Sequence, residues 1–319
     1  MSTWALTSRK IGAWRLALWC ALCVLALFPV PAPAQAAQEV AILKSADIAA
    51  YNQAVTAFTE ALGPSFKYSQ YDLHGDAQEG RRLARKIRAS EASLVLAVGL
   101  KAAIAAKLEV VDVPVVFCMV LDPARYDLKA PNLTGILLDI PTERHLGTVR
   151  QALPAVRRIG VLYDPGKSQS LIDEARQQAR LQGFELIAKS VASDRDVAAA
   201  ARALISQIDV LWLVPDSTVL SEDSLRFLLD LAMEHNVPSV GFSAEFVRSG
   251  ALMALSVSYA DTGRQAAQAA RRLLNGEGAD LLGHLQPPMQ TRITLNARTV
   301  RFLGLTIPPE ILRQSETVN

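Results

Sequence analysis

Short uninterrupted apolar runs recur along this chain, separated by longer stretches with apolar residues at helical spacing. The clearest case is 93–123, SLVLAVGLKAAIAAKLEVVDVPVVFCMVLDP. SLVLAV reads as a strand closed by Gly99, LKAAIAAKLEV as a helix, and VPVVFCMV as a second strand ending at Asp122-Pro123. Two apolar strands joined by a helix predict a right-handed βαβ unit in a parallel sheet. Such strands are buried on both faces, so they read as continuous apolar runs and not as alternations. Upstream, EVAILK (39–44) and FKYSQYDL predict strands, and DIAAYNQAVTAFTEAL and AQEGRRLARKIRAS predict amphipathic helices. PNLTGILLD (131–139) predicts a fifth strand and a crossing point.

The pattern then starts again. RRIGVLYD (157–164), FELIAKSVAS, DVLWLVPD (209–216), VPSVGFS (237–243) and ALMALSVS (251–258) predict strands, with helical stretches between them and YADTGRQAAQAARRLLNGEG after the last. VDVPVVF in the first half matches HNVPSVGF in the second, and SLVLAVG matches VLWLVPD, at an offset of about 115 to 125 residues, too long for a solenoid repeat. The expected fold class is α/β: two similar doubly wound parallel-sheet domains joined by a hinge. One lobe is expected over 37–138 with part of 243–280, the other over 139–242 with part of 281–319. Ligands of such sheets sit beyond the carboxyl ends of the strands, and closure about a hinge is the usual response to them.

Composition narrows the function. The chain has 319 residues, 50% of them hydrophobic, and a formal net charge of +2, so a nucleic-acid partner is not expected. Residues 1–36 differ from the rest. Arg9, Lys10 and Arg15 precede the apolar run LALWCALCVLALF, and Ala34 and Ala36 stand in A-x-A spacing. This is the pattern of a secretory signal peptide cleaved after Ala36, and it predicts a soluble, monomeric periplasmic protein. Cys20 and Cys23 fall inside the apolar run, leaving Cys118 as the single mature cysteine, a buried mid-strand hydrophobe.

Candidate binding residues follow from the strand ends. Gly99, Leu100 and Lys101 open a helix, where free N–H groups and the helix dipole suit a carboxylate. Asp216 and Ser217 end a strand, and the carboxylate suits a ligand ammonium; a helix cap explains the same residues equally well. Ser45, Asp122, Tyr163, Ser168, Gln169, Ser243 and Tyr259 stand at or after other strand ends. Gly166-Lys167-Ser168 lacks the earlier glycine of a phosphate loop. Catalysis has little support. His74, His145, His235 and His284 are scattered without metal spacing, there is no G-x-S-x-G elbow, and no dinucleotide fingerprint follows the first strand. No enzyme activity, metal or cofactor is expected.

The series AVGLKAAIAAK, VPVVFCMVLDP, PNLTGI, LPAVRRIGVLYDPGKSQS, VPDSTV, FSAEFVRSGAL, SYADTGRQAAQAARRLLNGE and NARTVRFLGLTIPPEILRQS spans nearly all of the mature chain. It resembles the ABC-transporter substrate-binding proteins of the tryptophan/tyrosine-binding group, which have the type I periplasmic-binding-protein fold. Ser217 departs from that pattern, where an asparagine is common. The resemblance implies a two-lobed receptor that closes on a small molecule, an amino acid or related zwitterion, and presents it to an ABC permease in the inner membrane. A sensor that feeds a membrane-bound signalling partner without transport would share these features.

Overall fold

The computed structural model describes residues 38–319, which form one compact unit. The signal-peptide reading of 1–36, with Cys20 and Cys23, lies outside the described residues. The chain runs through β1 (Glu39–Lys44), α1 (Ala49–Leu62), β2 (Lys67–Asp72), α2 (Ala77–Arg88), β3 (Ala92–Val98), α3 (Leu100–Glu109), β4 (Val115–Val120) and β5 (Leu133–Leu137). It continues with α4 (Thr142–Ala152), β6 (Arg158–Tyr163), α5 (Pro165–Leu181), β7 (Glu185–Ser190), α6 (Asp194–Ile205), β8 (Val210–Trp212), α7 (Glu222–Glu234), β9 (Ser239–Gly241), α8 (Ala244–Arg248) and β10 (Met253–Ser256). Then follow α9 (Tyr259–Leu274), β11 (Leu285–Gln286), β12 (Arg292–Asn296), α10 (Ala297–Phe302), α11 (Pro309–Gln314) and β13 (Ser315–Val318).

These strands build two sheets, β2-β1-β3-β4-β5-β11 and β7-β6-β8-β9-β10-β12-β13. In each, the first five strands follow the order second, first, third, fourth, fifth, which is the doubly wound arrangement. Every strand pair is parallel except β10 with β12. The fold is therefore a pair of α/β domains, and the repeat in the sequence is a repeat in space. The chain passes between sheets three times, at 138–141, at 257–258 and at 287–291. Residues 243–257 stay with the second sheet through β10, and the return to the first begins only at α9.

Both faces of each sheet are covered, which is why the strands read as unbroken apolar runs. In β1, Val40 and Ile42 pack with Phe58, Leu94 and Leu96, while Ala41 and Leu43 pack with Leu73, Val95 and Ala97 on the other face. In the second sheet Ile159, Val161 and Trp212 share one core, and Leu162, Leu211 and Leu213 the other. Each fully buried side chain of this size contributes about 1.5–3 kcal/mol. The alanine stripe of α9 (Ala266, Ala267, Ala269, Ala270) closes the first sheet's core against Ala54 and Phe58 of α1. Small side chains let these two helices come close, and at Gly263 the backbone of α1 leaves no room for a side chain. A Cβ there would overlap the Ala54 carbonyl oxygen and stand 2.9 Å from the Ala54 carbonyl carbon.

Candidate functional site: the cleft at the strand ends

The carboxyl ends of both sheets supply the walls of one cleft. At the end of β4 the pairing with β5 slips between Phe117 and Val120. Met119 has φ 61° and Asp122 φ 44°, left-handed backbone at non-glycine residues. Such conformations cost of order 1–3 kcal/mol each and cluster at functional sites. Here the distortion ends the strand and turns Leu121, 69% exposed, and Asp122 outward. Both line the cleft.

The cleft has two compartments. The outer one, about 920 Å³, is lined by Asp122 and Arg125 from the first sheet's side, by Asp139 from the crossing at 138–141, and by Lys167, Ser217, Phe242 and Phe246 from the second sheet's side. The inner one, about 480 Å³, shares Leu121, Asp122, Asp139, Lys167, Pro215 and Phe242 with it and adds Thr142, His145, Ser168 and Trp212. Phe242 and Phe246 meet edge to face, with centroids 4.9 Å apart. His145 and Trp212 lie 6.0 Å apart with rings tilted by 49°. The second sheet's side thus supplies the aromatic rings together with Lys167 and Glu174, and Asp122, Arg125 and Asp139 stand across from them. Asp139 reaches solvent, yet the protein crowded around it and the neighbouring Asp122 charge push its carboxyl above the usual carboxylate range. A cation placed there would relieve both effects.

An interlock of two aspartates shapes the second sheet's contribution. Asp216, 2% exposed, accepts the Asp164 N–H at 2.8 Å and the Ser168 hydroxyl at 2.7 Å with one oxygen. With the other it accepts the Thr218 N–H at 2.9 Å and the Val219 N–H at 3.3 Å. Asp164 in turn accepts the Thr218 hydroxyl at 2.7 Å and caps α5 through the Gly166 N–H at 2.8 Å. These bonds, the Thr218 hydroxyl first, hold the Asp164 carboxyl below the usual range. The interlock ties the end of β6, the start of α5 and the 216–219 turn into one piece. It sets Lys167, whose ammonium donates to Ser217 Oγ at 2.8 Å, at the junction of the two compartments.

His145 is the unusual member of the wall. It is 8% exposed, and its Nδ1 has no hydrogen-bond partner, alone among the buried side-chain nitrogens and oxygens of the described residues. Burial pushes its pKa down from 6.5 to about 4. The folded chain therefore keeps this ring neutral down to about pH 4, whereas an unfolded chain protonates it near 6.5. Unfolding takes up a proton in that window, so stability should fall as pH drops from 6.5 to 4, by roughly 3 kcal/mol from this residue. Urea denaturation at several pH values should show this loss in the unaltered protein and not in His145→Leu.

Of the residues expected from the sequence, Asp122, Ser168, Asp216 and Ser217 come together in the cleft. The others line neither compartment. Ser45 is buried, and its hydroxyl accepts the Ala102 N–H at 2.9 Å, capping α3. Gly99, with φ 87°, is the residue before Leu100, and a Cβ there would press on Tyr51 and Ser45. The Lys101 ammonium donates to the Gly75 carbonyl. Tyr163 is 6% exposed and packs in the second sheet's core. Gln169 donates to Asp173 at 2.9 Å. Ser243 caps α8, and Tyr259, 41% exposed, opens α9. Sequence reasoning passed over Asp139, His145, Trp212 and Phe242. His145 and Thr142 sit on α4, a helix signalled by Pro141 followed by Leu146, Val149 and Leu153 at helical spacing.

The sequence profile described as "ABC transporter substrate binding protein" matches residues 42–319. The chain belongs to that family. A tyrosine-binding protein of Clostridioides difficile (strain R20291) is 24% identical to this substrate-binding protein over 253 residues, covering 76% of this chain and 72% of the relative. Among solved structures, the ligand-free, open form of a Clostridium difficile substrate binding protein with adhesive properties superposes with a TM-score of 0.76 at 22% identity. That likeness covers 88% of this chain and 99% of the other. A Streptococcus ABC domain in complex with L-Trp gives a TM-score of 0.56 at 20% identity, covering 89% and 100%. The shared architecture is the type I periplasmic-binding-protein fold read from the sequence. Among the described residues no helix is long and apolar enough to cross a membrane.

Proposed function

We propose that this substrate-binding protein captures an amino acid in the cleft and delivers it to the membrane permease of an ABC importer, working outside the cytoplasmic membrane. The observation that carries the reading is the composition of the cleft: Trp212, Phe242 and Phe246 face the acidic pair Asp122 and Asp139, with Lys167 at the junction. Apolar walls with a few convergent charges suit a small zwitterion that has a large side chain. The names of two relatives, one tyrosine-binding and one in complex with L-Trp, support the same ligand class. Asp122 and Asp139 take the ligand ammonium, and Lys167 takes its carboxylate. This assignment differs from the one based on strand-end position, because Asp216 already accepts four hydrogen bonds from the protein and Lys101 lines neither compartment, whereas Lys167 lines both. The two lobes are 38–138 with 259–286, and 139–257 with 292–319. They close on the ligand about the crossings at 138–141, 257–258 and 287–291.

A thermal-shift panel of the amino acids tests this. A ligand at 100 times its dissociation constant adds about 2.7 kcal/mol. Aromatic amino acids are expected to raise Tm, and the Asp122→Asn, Asp139→Asn double variant is expected to lose most of that rise. A flat response to every amino acid would sink the proposal.

A further inference from the structure

The one buried side-chain polar atom without a partner among the described residues, His145 Nδ1, belongs to a residue that lines the inner compartment. A buried nitrogen left unpaired costs free energy, and native proteins contain few such groups. The compartment around it is mixed: Leu138, Ile140, Leu171 and Trp212 form apolar wall, and Asp122, Asp139, Lys167 and Glu174 bring charges into it. Ser168 also lines it, but its hydroxyl is committed to Asp216. A large ring fits against the apolar part of this wall, and His145 Nδ1 is the buried polar atom there that the protein leaves without a partner.

We infer that His145 is a specificity-determining residue, whose Nδ1 accepts a hydrogen bond from a donor carried on the ligand's aromatic ring, a phenol hydroxyl or an indole N–H. The inference rests on the amino-acid reading above. The neutral ring in its commoner Nε2–H tautomer leaves Nδ1 an acceptor, and burial keeps the ring neutral at ordinary pH. Trp212, with its ring 6.0 Å from the imidazole, supplies the flat surface beside which the ligand ring lies. A site arranged this way favours a donor-bearing ring over the same ring without one, because the bare ring leaves the buried nitrogen unpaired. His145 sits on α4, immediately after the crossing at 138–141, and Asp139 lies in that crossing. One short segment thus reads the ligand's two ends, its ammonium at Asp139 and its ring donor at His145.

The test compares dissociation constants for L-tyrosine, L-tryptophan and L-phenylalanine in the unaltered protein, His145→Leu and His145→Asn, by calorimetry. Ratios are taken within each variant, so any general loss of affinity cancels. The unaltered protein is expected to bind the tighter of the two donor-bearing ligands about tenfold better than L-phenylalanine, the worth of one good hydrogen bond. His145→Leu should erase that ratio while leaving L-phenylalanine binding within about threefold. His145→Asn, whose side-chain oxygen reaches near the Nδ1 position, should keep part of it. An unchanged ratio in His145→Leu, or no preference in the unaltered protein, overturns the inference and leaves the amino-acid reading standing. If none of the three ligands binds, the amino-acid reading itself fails and takes the inference with it.

Discussion

Replacing Gly263 with valine is expected to lower the stability of the protein by about 4 kcal/mol, beyond the 1–3 kcal/mol typical of overpacking. The reason lies in what the new side chain meets. Its Cβ would overlap the Ala54 carbonyl oxygen, and Ala54 Cα would be 3.1 Å away. A flexible side chain can swing aside; the backbone of α1 cannot move without pulling Ala54, Val55 and Phe58 out of the first sheet's core. Even Gly263→Ala should cost a large part of the same amount, because the first added atom makes the collision. Urea denaturation of both variants checks this. A valine variant with an unchanged midpoint would show that α1 and α9 are less tightly seated than the structure has them.

Asp216→Ala is expected to cost a similar amount, about 4 kcal/mol, because it strips a buried, fully hydrogen-bonded charge from its partners. Four donors lose their acceptor together: the Asp164, Thr218 and Val219 N–H groups and the Ser168 hydroxyl. Asp216→Asn retains one carbonyl oxygen and should lose about half as much. The two readings of this residue separate cleanly. A carboxylate that only held a ligand ammonium would leave the unliganded protein's denaturation midpoint unchanged on removal, and that result would refute the interlock. A large share of a net stability of only 5–15 kcal/mol is at stake in either variant.

How far the sequence reveals the structure differs between fold and site. Buried parallel strands announce themselves, because SLVLAV and VPVVFCMV need apolar residues on both faces, and these became β3 and β4 almost to the residue. DVLWLVPD was read as a longer strand than the observed Val210–Trp212, since the turn that Asp216 organises takes over its end. The site was less legible. Strand-end position brought Asp122, Ser168, Asp216 and Ser217 into view. It could not tell an aspartate that faces the cleft from one whose lone pairs the chain itself fills, since both look alike in sequence. The aromatic wall was invisible for a similar reason. Trp212 is an ordinary strand residue until the second sheet is placed, and His145 is one of four scattered histidines until α4 carries it to the strand ends.

The interleaving of the two sheets also sets the order in which the molecule can be completed during synthesis. α1 emerges early, yet the alanine stripe that covers it lies on α9, and Leu62 and Arg271, which the Arg271 guanidinium joins through the Leu62 carbonyl, are 209 residues apart. The first sheet's edge strand, β11, comes later still, after ten other strands have been made. The amino-terminal half of a nascent chain therefore carries an uncovered apolar helix face until almost the whole protein exists. Contacts this distant in sequence close slowly. A chain cut short before α9 would lack both the cover for α1 and the final strand of its first sheet, and would stay in a form that chaperones and proteases recognise as unfinished.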